Sequence, residues 1–101
     1  MLLETEGYSV ESAASGYGAL SRLEQGLDPC VIILDLMMDG MDGFEFRERQ
    51  TSEPDSRIAA IPVVLFSAMR GLGAAATRLH AAGHAEKPDY ERLIDLVAAT
   101  C

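Results

Sequence analysis

The sequence predicts an α/β domain built on a parallel sheet flanked by helices, and three observations carry that expectation. Residues 31–34 (Val-Ile-Ile-Leu) and 61–66 (Ile-Pro-Val-Val-Leu-Phe) are short, continuous apolar runs, which read as strands covered on both faces, as in a parallel sheet. Segments with apolar residues at helical spacing lie between and after them, so that strand and helix alternate. Glycine, proline and aspartate punctuate the junctions, with Asp28-Pro29 before the first run and Asp42-Gly43 after it.

Taken in order, residues 1–6 read as the end of a helix with Gly7 as its cap. Residues 8–14 alternate apolar and polar side chains and read as a strand. Residues 18–25 put Ala19, Leu20 and Leu23 on one face of a short helix closed by Gly26. The strand at 31–34 follows, then a helix over about 43–50 and a polar loop over 51–57. After the strand at 61–66, residues 70–82 form an alanine-rich helix that includes Leu72 and Leu79, and residues 89–99 a last helix on Leu93, Leu96 and Val97. Repeats, low-complexity segments and linkers are absent, and the whole of 1–101 reads as one unit.

A chain of 101 residues supports one small domain, with an expected radius of gyration of about 13 Å. No apolar run approaches the roughly 18 residues of a membrane span, and the N-terminus lacks the basic start and apolar core of a secretory signal. A cytoplasmic location and no membrane contact are therefore expected. The net charge of −8 disfavours direct nucleic-acid binding, which rests on clustered Lys and Arg. Cys30 and Cys101 show no metal-ligand spacing and are expected as reduced thiols. His80 and His84 are four apart, but Gly83 ends the helix between them and no Cys or carboxylate completes a ligand set, so no metal site is expected there.

The chemistry centres on Asp35. It sits at the C-terminal end of a buried strand, and in open α/β sheets ligands bind in the crevice outside that edge. Gly40 and Gly43 allow the tight turn that follows. Alone, an aspartate there is commonly a turn or helix cap.

The stretch from Val31 to Phe46 resembles the phosphoacceptor region of bacterial response-regulator receiver domains, with Met38, Gly40, Met41, Asp42 and Gly43 in register and Asp39 in place of the usual proline. Residues 61–68, ending Phe66-Ser67-Ala68, resemble the family's fourth strand with its terminal hydroxyl, and Glu86-Lys87-Pro88 the junction that supplies its lysine. The resemblance implies a flavodoxin-like (CheY-like) fold and a non-enzymatic signalling role in a two-component phosphorelay. In it Asp35 accepts a phosphoryl group from a histidine kinase or phosphotransfer protein, Lys87 neutralises that group, Ser67 donates a hydrogen bond to it, and Ala68 leaves it room. It also implies Mg²⁺, held by Asp35, the backbone carbonyl of Met37 and an acidic pair after the family's first strand.

Two departures qualify what the resemblance implies. This sequence starts inside the helix that follows the family's first strand, so that strand and its acidic pair are not in it, and the receiver is expected to be incomplete at the N-terminus. In the family's 2-1-3-4-5 order the gap is interior, beside the strand at 31–34. Unpaired backbone groups buried there would cost about 1–3 kcal/mol each, against a total stability of roughly 5–15 kcal/mol. Three compensations are open: residues 8–14 pair with the strand at 31–34, a second copy supplies a strand in a homodimer, or the gene product is longer. With the acidic pair absent, Mg²⁺ binding is expected to be weak or absent, Asp39 being one loop carboxylate that could substitute. The second departure is that only His84, Ala85 and Glu86 separate Gly83 from Lys87, so the fifth strand is expected to be nearly gone and the family's aromatic switch residue has no counterpart. An alternative reading is a degenerate receiver serving as a phosphorylation-independent interaction module. A phosphatase of the haloacid-dehalogenase type would want a second aspartate where this sequence has Met37.

Overall fold

Val63–Ser67 is a strand of five consecutive buried residues, and the rest of the molecule is arranged around it. The computed structural model describes residues 7–37 and 40–101. In chain order the elements are α1 (Gly16–Glu24), β1 (Ile32–Leu34), α2 (Gly43–Thr51), α3 (Ser56–Ala59), β2 (Val63–Ser67), α4 (Leu72–Arg78), β3 (Gly83–Glu86) and α5 (Tyr90–Thr100). The described strands form one parallel sheet in the order β1-β2-β3, with Leu34 opposite Leu65 and Ser67 opposite Glu86. The radius of gyration is 12.7 Å, as the chain length implies.

Alternate residues of β2 face opposite layers. Val63 and Leu65 join the larger core cluster with Leu23 of α1, Phe46 of α2, Ile58 of α3 and Leu72 and Ala75 of α4. Val64 and Phe66 face a smaller cluster with Ala85 of β3 and Leu93 and Val97 of α5. The expected α/β fold, with helices on both faces of a parallel sheet, is therefore present.

Several local expectations are corrected. Residues 8–14 do not form a strand and do not pair with β1, which among the described residues is bonded to β2 alone. The alternation legible there is used differently: Tyr8 and Val10 pack on the smaller cluster, while Arg22 of α1 donates to the Ser12 carbonyl at 2.8 Å and to Glu11 Oε2 at 2.8 Å. An apolar–polar alternation shows which side is buried, not whether a neighbouring strand is within reach. The polar stretch 51–57 contributes the last residue of α2 and the start of α3, whose N-cap Asp55 accepts from the Arg57 N–H.

The helix expected over 70–82 runs only over Leu72–Arg78, because the chain turns left-handed at His80 (φ 53°) and not at Gly83. Gly83 instead opens β3, which is a full four-residue strand and not a vestige. Its missing side chain has a packing reason, since a Cβ there would lie 2.6 Å from a Leu96 methyl of α5. The helix read at 1–6 lies outside the described residues, as do Met38 and Asp39.

Cys30 and Cys101, expected as reduced thiols, form a disulfide with Cα atoms 5.5 Å apart. The sequence separation of 71 residues hides the pairing. α5 runs back along the sheet from the edge where β3 ends, so its last residue returns to the edge where β1 begins.

Helix ends are closed by arginines from other elements. Arg47 of α2 is only 8% exposed. Its Nε donates to the Leu79 carbonyl at 3.0 Å and its terminal nitrogens to the carbonyls of His80 (3.2 Å) and Ile61 (3.4 Å) and to Gln50 Oε1 (2.8 Å). Burial lowers its pKa from the ordinary arginine value, and the orphan carbonyls ending α4 give the charge a favourable field. Arg57 does the same for α1, donating to the carbonyls of Leu23 (2.7 Å) and Leu27 (2.9 Å).

Replacing Arg47 by Ala leaves these buried acceptors without their donor, and urea unfolding is expected to show a loss of about 2–4 kcal/mol. Arg47→Lys should recover only part of it, because a point ammonium cannot span the same fork. A wild-type urea midpoint in Arg47→Ala would contradict this role.

Candidate functional site

Parallel pairing puts the C-terminal ends of β1, β2 and β3 along one edge of the sheet, and each end carries one of the predicted residues. Asp35 follows β1, Ser67 is the last residue of β2, and Lys87 follows β3. The Lys87 N–H donates to the Ser67 carbonyl at 3.0 Å, continuing the ladder by one residue and fixing where the lysine leaves the sheet. The Lys87–Pro88 peptide is cis.

The three side chains meet. Lys87 Nζ lies 2.6 Å from Asp35 Oδ2. Ser67 Oγ donates to Asp35 Oδ1 at 2.8 Å, and the Met37 N–H donates to the same oxygen at 2.9 Å. Ser67 is fully buried, and its hydroxyl oxygen also accepts the Met69 N–H at 3.3 Å. It does not cap the next helix, since Gly71 is the N-cap of α4. The Asp35 side chain is 28% exposed and that of Lys87 42%, so the pair sits at the surface, open to a ligand from outside.

The loop after Asp35 is held from beneath. Asp42 caps α2, accepting the Glu45 N–H at 2.8 Å, as its place before Gly43 suggests. Gly43 donates its N–H to the Leu36 carbonyl at 3.3 Å. A Cβ at 43 would stand 2.7 Å from Leu36 Cα and 2.9 Å from the Asp35 carbonyl, so the site needs glycine here for close approach. Met41 is fully buried, whereas Met37 is 65% exposed beside Asp35.

Burial pushes the Asp35 pKa up, but the hydrogen bonds from Lys87, the Met37 N–H and Ser67, together with the Lys87 charge, outweigh it and leave the pKa below 3.8. The carboxylate is therefore ionised and nucleophilic near neutrality.

The expected metal ligands fare differently. Asp35 is present, and Met37 is adjacent to it through its N–H. No group of three His, Cys, Asp or Glu side chains able to hold a metal occurs among the described residues, and both Asp35 oxygens already have protein partners. Mg²⁺ is commonly held by one or two carboxylates with carbonyls and waters, and of the expected ligands Asp35 stands at the exposed strand edge next to Met37. His80 lies in the left-handed turn after α4, whose C-cap is Leu79, and His84 lies on β3.

Sequence reasoning missed the aromatic wall behind the lysine. Phe66 lies beneath Lys87, with Nζ 5.8 Å from the ring centroid, and Tyr90 tilts against Phe66 at 5.2 Å. The alternation of β2 places Phe66 on the α5 face, and Tyr90 opens that helix, so the signal was there in the register and needed the helix docking to be read.

Because the folded pKa of Asp35 lies below its unfolded value, the unfolded state binds more protons as the solution acidifies. The stabilisation is present above pH 3.8 and is lost as pH falls through the lower, folded value. In urea unfolding, Asp35→Asn should be less stable than wild type by about 0.5–1 kcal/mol near neutrality. That gap should close on acidification below pH 3.8. A gap that stays constant across this window would refute the assignment.

A family model described as the response regulator receiver domain matches residues 1–98. Response regulator PleD of Caulobacter vibrioides is 42% identical over 71 residues, which cover 70% of this chain and 15% of that protein. The DNA-binding dual master transcriptional regulator RpaA of Synechocystis is 39% identical over 67 residues, covering 66% and 27%. The chain thus matches a minor part of each of these longer relatives. Among solved structures, the chemotaxis response regulator CheY4 of Vibrio cholerae superposes with a TM-score of 0.80 at 28% identity, over 98% of this chain and 82% of that one. A receiver protein from Pseudomonas putida gives a TM-score of 0.84 at 21% identity, over 97% and 81%, and speaks for the fold alone. The parallel sheet, the strand-edge triad and these matches agree: the chain belongs to the response regulator receiver domain family.

Proposed function

We propose that Asp35 accepts a phosphoryl group from the phosphohistidine of a histidine kinase or phosphotransfer protein, as one step of a two-component phosphorelay. The observation that supports this reading best is the convergence of Lys87 Nζ and Ser67 Oγ on one ionised, partly exposed carboxylate. In the proposed step a carboxylate oxygen of Asp35 forms the new bond to phosphorus as the P–N bond to the donor imidazole breaks, and the ring nitrogen keeps the electron pair and takes a proton from solvent water. Lys87 moves from the carboxylate onto the transferred oxygens, where its compact charge offsets theirs. Ser67 turns its single hydroxyl hydrogen toward the same group, and Ala68 beside it leaves space. A cytoplasmic location goes with this role. No described helix is long and apolar enough to cross a membrane.

The engagement of both Asp35 oxygens by Lys87, Ser67 and the Met37 N–H supports a second reading, in which the domain keeps its helical faces for protein association without being phosphorylated. Members of the family generally use Mg²⁺ for phosphorylation, with Met37 the residue whose carbonyl would serve here.

Intact mass after incubation with acetyl phosphate, with and without Mg²⁺, separates the two. The first reading expects one phosphoryl adduct per chain, absent from Asp35→Ala and formed about 10- to 100-fold more slowly in Lys87→Ala. No adduct under either condition, repeated with a phosphorylated histidine phosphotransfer protein as donor, would leave the interaction module as the function.

A further inference from the structure

The disulfide joins the far ends of the two elements that bracket the site. β1 runs from just after Cys30 to just before Asp35, while α5 runs from the turn carrying Lys87 to just before Cys101. At one end of this pair of elements Asp35 and Lys87 are ion-paired, and at the other the two sulfurs are bonded. Both cysteines are exposed residues, so this end of the fold is open to exchange partners. Between the two ends lies the smaller core cluster, against which Val31 and Ile33 of the β1 region are only partly buried. Among the described residues β1 has a hydrogen-bonded neighbour on one side only.

We propose that Cys30 and Cys101 form a reversible thiol–disulfide site that clasps α5 to β1, closed by a small-molecule disulfide and opened by a dithiol. In a reducing compartment, a solvent-reachable disulfide of this kind is formed and broken with the redox state and is not a permanent staple. Closure proceeds by attack of one cysteine thiolate on a sulfur of glutathione disulfide, which breaks that S–S bond and releases one glutathione thiolate. The second cysteine thiolate then attacks the protein sulfur of the mixed disulfide and releases the other. The two protein sulfurs lose two electrons, the two glutathione sulfurs gain them, and the two protons end on the released thiols. Reduction by a dithiol reverses each step.

The closed form constrains a long loop of the unfolded chain and ties the residue that leads into β1 to the C-terminal end of α5. Its signature is a stability and an edge-strand protection that follow the thiol state, independently of any phosphoryl transfer.

The test uses the full chain, reduced with dithiothreitol, desalted, and exposed to glutathione disulfide. The expected product is a monomer about 2 Da lighter, inert to iodoacetamide, melting roughly 10–20 °C higher than the reduced form. Its Ile32–Leu34 amides should exchange about tenfold more slowly, and dithiothreitol should restore the starting values. Cys30→Ser and Cys101→Ser should each take up one glutathione and show neither the melting shift nor the added protection. Wild-type chains carrying a glutathione on each cysteine, or linked as dimers, would overturn the proposal. So would a closed disulfide that leaves melting and amide exchange unchanged. The wild-type comparison stands without the variants, so a substitution that fails to fold does not spoil it.

Discussion

Everything at the functional edge depends on the three described strands being parallel and in register. In an antiparallel arrangement Asp35 and Ser67 would leave the sheet at opposite edges, a strand's length apart. With Leu34 opposite Leu65 and Ser67 opposite Glu86, three residues separated by 32 and 20 positions in the sequence come within hydrogen-bond distance at one rim. The side chains then contribute their charges, but the backbone ladder does the gathering. The ion pair itself is half-solvated and stabilises the fold little. Its value lies in holding an ionised carboxylate and a cation ready at a surface that a partner can reach.

The fold class and the meeting of Asp35, Ser67 and Lys87 at one strand edge were legible because both rest on local signals. A buried strand announces itself by continuous apolar residues, and Val31 to Leu34 and Ile61 to Phe66 did so. The turn at Asp42-Gly43 and the Lys87-Pro88 junction are equally local. What escaped were features decided by distant partners. Residues 8–14 carry a strand's alternation but have no ladder neighbour among the described residues. His80 ends α4 in a left-handed turn that residues such as Asn, Asp and His adopt more readily than most, which made Gly83 the more obvious and mistaken stop. β3 is short in sequence yet pairs with β2 over all four of its residues. The cysteines could not be paired from spacing at all.

The arginines show how a small domain uses polar groups in place of additional core. Arg47 and Arg57 each reach from one helix to the carbonyl end of another, Arg47 to α4 and Arg57 to α1. A guanidinium carries enough donors to satisfy several orphan carbonyls at once, and its planar spread keeps the helices at a set separation. Gln50 completes the Arg47 network by donating to the carbonyls of Ile58 and Ile61 at 3.0 and 2.9 Å. This ties α2 to the entry of β2. No buried side-chain nitrogen or oxygen among the described residues is left without a partner.

The contact at Gly43 gives this bracing a mechanical meaning. The first turn of α2 rests directly on the backbone of Asp35 and Leu36, and the far turn of the same helix is bolted through Arg47 and Gln50 to two other elements. Travel of the Asp35 backbone along the strand would have to drag a whole anchored helix with it. The carboxylate therefore stands on a fixed footing, and rearrangement around it falls to torsions: the lysine swinging on its long stem, the serine hydroxyl rotating about a single bond.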